Sequence, residues 1–543
     1  RLSLPGLDPT AVAAFLERAA GHDLTDQGEE LARVVQEETE GNPFFVAEVL
    51  RHLTETGALE QRDGRWVTAG AIEELGIPEG VREVVGRRLA RLSDTARRAL
   101  TVAAVAGPEF EPAVVAAAGD LPEGDLLAAL DEAVAARLVR EAGGVTPRYR
   151  FAHALVRATL YDELSAARRV VLHRRVAGAI EAVHAQRLDD HLPALAHHYA
   201  RAAASPPETA KAVEYATRAG DRALAQLAHD EAVTYYRQAL ELLTVAEGLG
   251  QGIRLDLLIS LGEAERRAGD PAYRRTLFEA TGLAWELGDS AALGRAALAN
   301  SRGLMFSQAG WVDEELVAVL QAALDAADPG DSAMRARLLA KLGLELHWSP
   351  ADRDRRVSLS DEALAIARRL DDPPTLAAVL VARHATIWAP DNVDERLANV
   401  DELDEVAARL GDPVTTSQAR SVRFRVMMET ADVVAADRAL DEWAALAHEL
   451  GQPVLRWLLG WPRAGRLALA GRLVEAEAAA IETRELGFAT GQDDAGMLCA
   501  LGLVPVRLQQ GRFAEFEPEV VEALTRYGMN QRLPWVFATR TLM

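Results

Sequence analysis

The chain has 543 residues, 49% of them apolar, which is enough for several packed units and too many for one core. Its 82 acidic residues against 59 basic ones leave a formal charge of -23, which repels phosphate backbones and argues against general nucleic-acid binding. A single cysteine, Cys499, excludes an internal disulfide framework, and no run approaches the roughly 18 apolar residues of a membrane span, so a cytoplasmic protein is expected.

From the N-terminus, Arg1 to Leu4 alternates like the end of a strand. Gly6-Leu7-Asp8-Pro9 then supplies a turn, an N-cap and a first-turn proline for a helix reaching about Ala20. A second helix from about Asp26 carries Leu31, Val34, Val35 and Thr39 on one face and ends at Gly41, where Pro43 forces Asn42 out of the α region. A third, from about Phe44 to Glu55, starts at once. Gly41-Asn42-Pro43 is therefore a sharp corner between two amphipathic helices, with Phe44 and Phe45 directly behind it.

The next segment uses one pattern twice. Leu59 to Val67 reads as a hairpin turning at Asp63-Gly64, and Leu138 to Phe151 as another turning at Gly143-Gly144. Between them the pattern predicts helices over Pro78 to Leu92, Asp94 to Ala106 and Leu126 to Ala136, and helices followed by a hairpin are the layout of a winged helix. Helix resumes after His153. The predicted domains are residues 1–56, a winged-helix-like 57–185, and a helical array over 190–543.

In that array, Ala219-Gly220 with Ala232, Tyr236 and Ala239 matches the small and aromatic positions of a tetratricopeptide repeat, where small residues let antiparallel helices approach. Leu261-Gly262 with Phe278 is a weaker copy, and Leu342-Gly343 marks a later one. Turn punctuation at Leu287-Gly288-Asp289, Asp328-Pro329, Asp371-Asp372-Pro373, Leu410-Gly411-Asp412-Pro413 and Leu450-Gly451-Gln452-Pro453 recurs about every 40 residues, the length of a helix hairpin with its turns. The fold class is mainly α, with small β-hairpins and an α-solenoid.

Enzymatic signatures are absent from the sequence. Neither lysine, Lys211 or Lys341, stands in G-x-x-x-x-G-K-[ST], and no G-x-S-x-G or H-E-x-x-H occurs, so the chain itself is expected to have no catalytic residues and no ATP hydrolysis. His191, His197 and His198 form the densest histidine group; without paired carboxylates at helical spacing they read as a solvated helix face, and no metal is expected. Cys499 reads as a small buried hydrophobe. The basic run with Arg168, Arg169, His173, Arg174 and Arg175 reads as an arginine face paired with acidic neighbours rather than as a DNA-recognition helix. Trp348, Trp388, Trp443, Trp457 and Trp461 would serve as partner anchors if they face outward.

Residues 1 to about 250 resemble the C-terminal part of the ATPase module of STAND-class signalling proteins, the LuxR-type large regulators and ATPase-bearing adenylate cyclases. In these a P-loop ATPase, a winged helix and tetratricopeptide-like repeats follow in order. The resemblance is carried by Thr39 to Leu50, Leu89 to Ser93, Tyr149 to Arg157 with Tyr161, and Arg168 to Ala177. It implies that residues 1–56 are the helical lid of an AAA/STAND-type ATPase, that Gly41, Asn42 and Pro43 lie against the adenine of ADP or ATP, and that His153 contacts a phosphate. Only the histidine of the Met-His-Asp motif that eukaryotic STAND receptors carry in their winged helix is kept here, in Ala152-His153-Ala154, which puts its locking function in doubt. ATP or ADP would be held only together with a P-loop domain expected upstream of Arg1, so the chain reads as a fragment of a longer protein. The resemblance further implies a protein or small-molecule inducer on the solenoid, no DNA contact by this part, and homo-oligomers on activation. The competing readings are the repeat region of a multidomain adenylate cyclase and a plain tetratricopeptide scaffold.

Overall fold

In a computed structural model, the structure describes residues 6–512 apart from 25, 40, 56–58, 63–64, 69–85, 87, 144–146, 246–249, 303–304 and 390. The strand expected at Arg1 to Leu4, the Asp63-Gly64 turn and most of the helix expected over Pro78 to Leu92 lie outside the described residues. The chain divides into two compact units, residues 1–216 and 217–543.

The first unit opens with α1 (Pro9–Ala20), α2 (Asp26–Thr39) and α3 (Pro43–Glu55). Asp8 caps α1 by accepting from the Ala11 amide at 2.7 Å, as its position before a first-turn proline foretells. Strands β1 (Leu59–Arg62) and β2 (Arg65–Thr68) pair antiparallel, with Leu59 opposite Thr68. There follow α4 (Asp94–Ala106), β3 (Glu109–Phe110), α5 (Pro112–Gly119), α6 (Glu123–Ala135), β4 (Val139–Ala142) and β5 (Arg148–Phe151). Their three strands form an antiparallel sheet in the order β3-β5-β4. The short β3 and α5 were not legible from the pattern: two residues are too few to show alternation. Phe110 packs between Tyr149 and Phe151, at 6.1 and 5.6 Å, and this ties β3 to the hairpin. Helices α7 (Ala154–Asp162), α8 (Ala166–Val183), α9 (Leu192–Ala202) and the start of α10 (Pro206–Ala225) complete the unit.

The second unit is an α-solenoid. It runs through α11 (His229–Val245), α12 (Gln251–Ala268), α13 (Tyr273–Leu287), α14 (Ser290–Ala299), α15 (Glu314–Ala326), α16 (Ala333–Glu345), α17 (Arg353–Leu370), α18 (Pro373–Thr386), α19 (Val393–Leu410), α20 (Pro413–Glu429), α21 (Val433–Glu449), α22 (Pro453–Leu469), α23 (Leu473–Ala489) and α24 (Ala495–Gln509). The recurrent turn words have a local cause. Gly288, Asp371 and Gly411 adopt left-handed φ values of 67°, 51° and 63° and end one helix, while the next aspartate, Asp289, Asp372 or Asp412, caps the following one through its carboxylate. Two residues thus stop one helix and start another.

Close approach within a hairpin depends on Gly220, where an added Cβ would lie 2.7 Å from the Tyr236 ring. In the second copy Gly262 faces Leu277, which is fully buried, while the expected partner Phe278 is only half-buried. The array also curls back on itself: the His229 ring meets the Leu450 carbonyl at 3.2 Å, across 221 residues of chain.

Candidate functional site

Gly41 ends α2 with φ +67°, and a side chain there would place Cβ 1.9 Å from the Leu7 carbonyl oxygen. The Leu7 amide donates to the Gly41 carbonyl at 2.7 Å, so the segment before α1 lies directly on the corner. The Asn42 amide donates to the Thr39 carbonyl at 3.0 Å, and the Asn42 carbonyl accepts from Val46 at 2.9 Å, starting α3. Pro43 is the first residue of α3, where its missing N–H costs nothing, and it is exposed. Phe45, two residues on, is 2% exposed.

His153 stands between β5 and α7 with extended backbone, and its carbonyl accepts from the Val156 amide at 3.0 Å. Its ring meets Phe45 edge-on, with centroids 5.3 Å apart. The corner of residues 41–43 and His153, more than a hundred residues apart in sequence, thus belong to one neighbourhood, with Phe45 as the joint between them.

A second cluster was only partly visible in the sequence. His173 Nδ1 and His198 Nδ1 are 2.9 Å apart, the Tyr161 hydroxyl lies 2.9 Å from His173 Nε2, and with exposed His197 the three imidazoles bring nitrogens within 4.8 Å of one another. His198 is buried rather than on a solvated face, and His191 leaves the group to stack on His184 at 3.7 Å. Burial first, then neighbouring imidazoles and arginines, lowers His173 to about 4 and His198 to about 3. The donor set suits a metal ion, but Arg157 beside both buried rings and Arg201 beside His173 oppose a cation there. His173 was hidden from sequence reading because it sits in an arginine run 24 residues before His197.

Within that run, Arg174 pairs with Glu208 at 2.6 Å, and Arg169 donates to the carbonyls of Tyr161 and Asp162. Arg168 and Arg175 instead line a cavity of about 850 Å³, together with Arg97, Arg98, Asp94 and Glu163.

Of the five tryptophans offered as anchors, Trp443 and Trp457 are fully buried core and cannot serve; Trp388 is exposed. Sequence reading missed Trp285, which is more exposed than Trp388. Cys499 is buried. No described helix is long and apolar enough to cross a membrane.

Residues 25–66, which span the corner, match a family described as a domain of unknown function (DUF8739). No curated protein matches the sequence. Among solved structures, the chain is similar to a signal transduction ATPase with numerous domains (STAND) protein with a tetratricopeptide repeat sensor from Pyrococcus horikoshii, at 13% identity over 99% of this chain and 74% of that one, with a TM-score of 0.27. It is also similar to a Rap protein complexed with competence and sporulation factor, at 14% identity over 68% of this chain and 93% of that one, with a TM-score of 0.35.

Proposed function

We propose that this chain is the regulatory part of a nucleotide-switched signal-transduction ATPase of the STAND class, a transcriptional regulator whose solenoid senses a ligand or partner. The observation that supports the reading is the contact of Phe45 with His153 at 5.3 Å, which brings the Gly41-Asn42-Pro43 corner and His153, the residues we assign to the adenine and to a phosphate, into one neighbourhood. An exposed proline ring beside a helix start offers an apolar surface to a purine, and an imidazole near a phosphate gains proton affinity in that field. The order of α4, β3, α5, α6, β4 and β5 supports a winged helix between lid and solenoid. Ligand binding on the solenoid would then favour the open arrangement through its differential affinity for the two states.

The phosphates need a Gly-rich loop with Lys and Ser/Thr, which this sequence lacks. Reading the parent gene upstream of Arg1 tests the proposal. About 150 to 300 residues of α/β pattern containing G-x-x-x-x-G-K-[ST] are expected, one or two domains by size. An initiator methionine within a few residues of Arg1, or an upstream region without that loop, contradicts it and leaves a scaffold.

A further inference from the structure

Residues 300–302 and 305–313, between α14 and α15, contain no helix and are held inside the second unit by side chains from well-separated repeats. Arg302 donates twice to the Asp494 carboxylate, at 2.8 and 2.5 Å, with both side chains almost fully buried. The same carboxylate accepts the Ala309 amide at 2.8 Å. Ser307 gives its amide and hydroxyl to Glu345 at about 3 Å. Phe306 stacks on His347 at 5.1 Å and meets Trp348 edge-on at 5.2 Å. The segment is gripped as a solenoid grips a bound peptide: carboxylates on main-chain N–H groups, an ion pair at one end, aromatic walls around one ring.

One contact in this arrangement is mismatched. Arg425, on α20, gives Nη1 to the carbonyl and hydroxyl of Ser421 in its own helix, while Nη2 faces only the Met305 sulfur at 3.0 Å. A thioether is a weak acceptor, and buried guanidinium groups ordinarily face carboxylates. Two nearby arginines follow that rule, Arg396 with Glu429 and Arg383 with Asp361 and Glu395, whereas Arg356 gives Nη1 to His347 instead. No described carboxylate pairs with Arg425, and desolvation alone lowers its guanidinium to about 10. Part of its surface still meets solvent. Its immediate surroundings hold more unused polar groups. The Trp443 ring lies 5.8 Å from the guanidinium, and both Trp443 Nε1 and His384 Nδ1 are buried with no hydrogen-bond partner.

We propose that Arg425 is the anion-recognition point of a ligand site inside the solenoid, for a carboxylate joined to an apolar or aromatic body, and that Met305 and Phe306 fill this site until the ligand displaces them. The ligand carboxylate takes the place of the Met305 sulfur on Nη2, and its apolar body takes the place of Phe306 against His347 and Trp348. The proposal rests on the sensing role given to the solenoid above and names the chemistry of what is sensed.

Two measurements on the full chain test it. Met305→Glu places a tethered carboxylate on Arg425 and is expected to raise the melting midpoint of the second unit by about 2–4 °C, whereas the same change combined with Arg425→Met is expected to lower it. A Met305→Glu chain melting below the wild type overturns the proposal. In the second, N-acetylphenylalanine is titrated to about 20 mM against tryptophan fluorescence, above the ~1 mM affinity reasonable for one charged contact and one ring. Saturable binding to the wild type, at least tenfold weaker binding to Arg425→Met, and none by uncharged N-acetylphenylalaninamide are expected. Phenylphosphonate binding better than the carboxylate, the amide binding as well as the acid, equal binding by Arg425→Met, or no saturation by the wild type each overturn it. Such a failure with ADP protection of residues 41–46 intact sinks this inference alone; carboxylate binding without ADP protection upholds the site and sinks the nucleotide reading.

Discussion

Phe45 and His153 meet edge-on with ring centroids 5.3 Å apart, the phenylalanine closed off from solvent and the histidine at the mouth of α7. Burying the phenylalanine ring is the main energetic link between the corner and the histidine, since edge-to-face geometry adds only about 0.5–1.5 kcal/mol beyond area. Phe45→Ala is therefore expected to destabilise the first unit by about 3–5 kcal/mol in urea unfolding. A loss below about 1 kcal/mol would show that the site tolerates the cavity and that Phe45 is no joint.

The corner itself predicts a contrast between two glycines with the same φ of +67°. At Gly288 an added Cβ meets nothing, so Gly288→Ala should cost only the left-handed penalty of about 1 kcal/mol. At Gly41 the Cβ would overlap the Leu7 carbonyl, so Gly41→Ala must also displace the segment before α1, for about 3 kcal/mol in all. Protease cleavage near Leu7 should rise in this variant alone. Equal costs at the two positions contradict the close approach.

In the solenoid, Gly220→Ala pushes a methyl to within 2.7 Å of the Tyr236 ring, whose hydroxyl is anchored on Asp221 at 2.7 Å. Because the ring is anchored, overpacking of about 1–3 kcal/mol is expected, read as a lower denaturation midpoint with unchanged slope. Neutral behaviour would mean the hairpin opens freely.

Acid should weaken both units. Burial lowers His173 and His347 to about 4 and His198 and His384 to about 3 in the folded chain. The unfolded chain takes up these protons near pH 6.5, so the stability from keeping the rings neutral is complete above about pH 6.5 and is lost as pH falls towards 4. Unfolding free energies for the first unit, measured from about pH 7 to about pH 4, should fall steeply in the wild type and less steeply when His173→Gln and His198→Gln are combined. An unchanged slope in the double variant contradicts the assignment.

Much of this architecture was legible because its causes are local. Pro43 beside Gly41 dictates a corner, Asp412 after Gly411 dictates a stop and a start, and Gly220 with Tyr236 dictates a close hairpin. What stayed hidden is non-local. Arg302 and Asp494 are 192 residues apart, and nothing near either announces the other. The only sequence signal was negative: residues 300–313 lack helical periodicity in an array whose other turns are two to a few residues long. Trp443 and Trp457 could not be separated from surface anchors for the same reason, since in a curled array both faces of a helix can be core. His153 was placed correctly after β5, but its partner Phe45 was known only as one of two phenylalanines behind a corner.

The central claim is that the corner of residues 41–43 and His153 close over one nucleotide. Hydrogen exchange of the whole gene product, followed with and without ADP, tests it most directly. The account predicts slowed exchange at residues 41–46 and 153–156 together when ADP is added, and loss of that joint protection in His153→Ala, which should lose in unfolding only the ring contact with Phe45, about 0.5–1.5 kcal/mol. Exchange unchanged by ADP at both segments, or protection at the corner that survives His153→Ala in full, would contradict it.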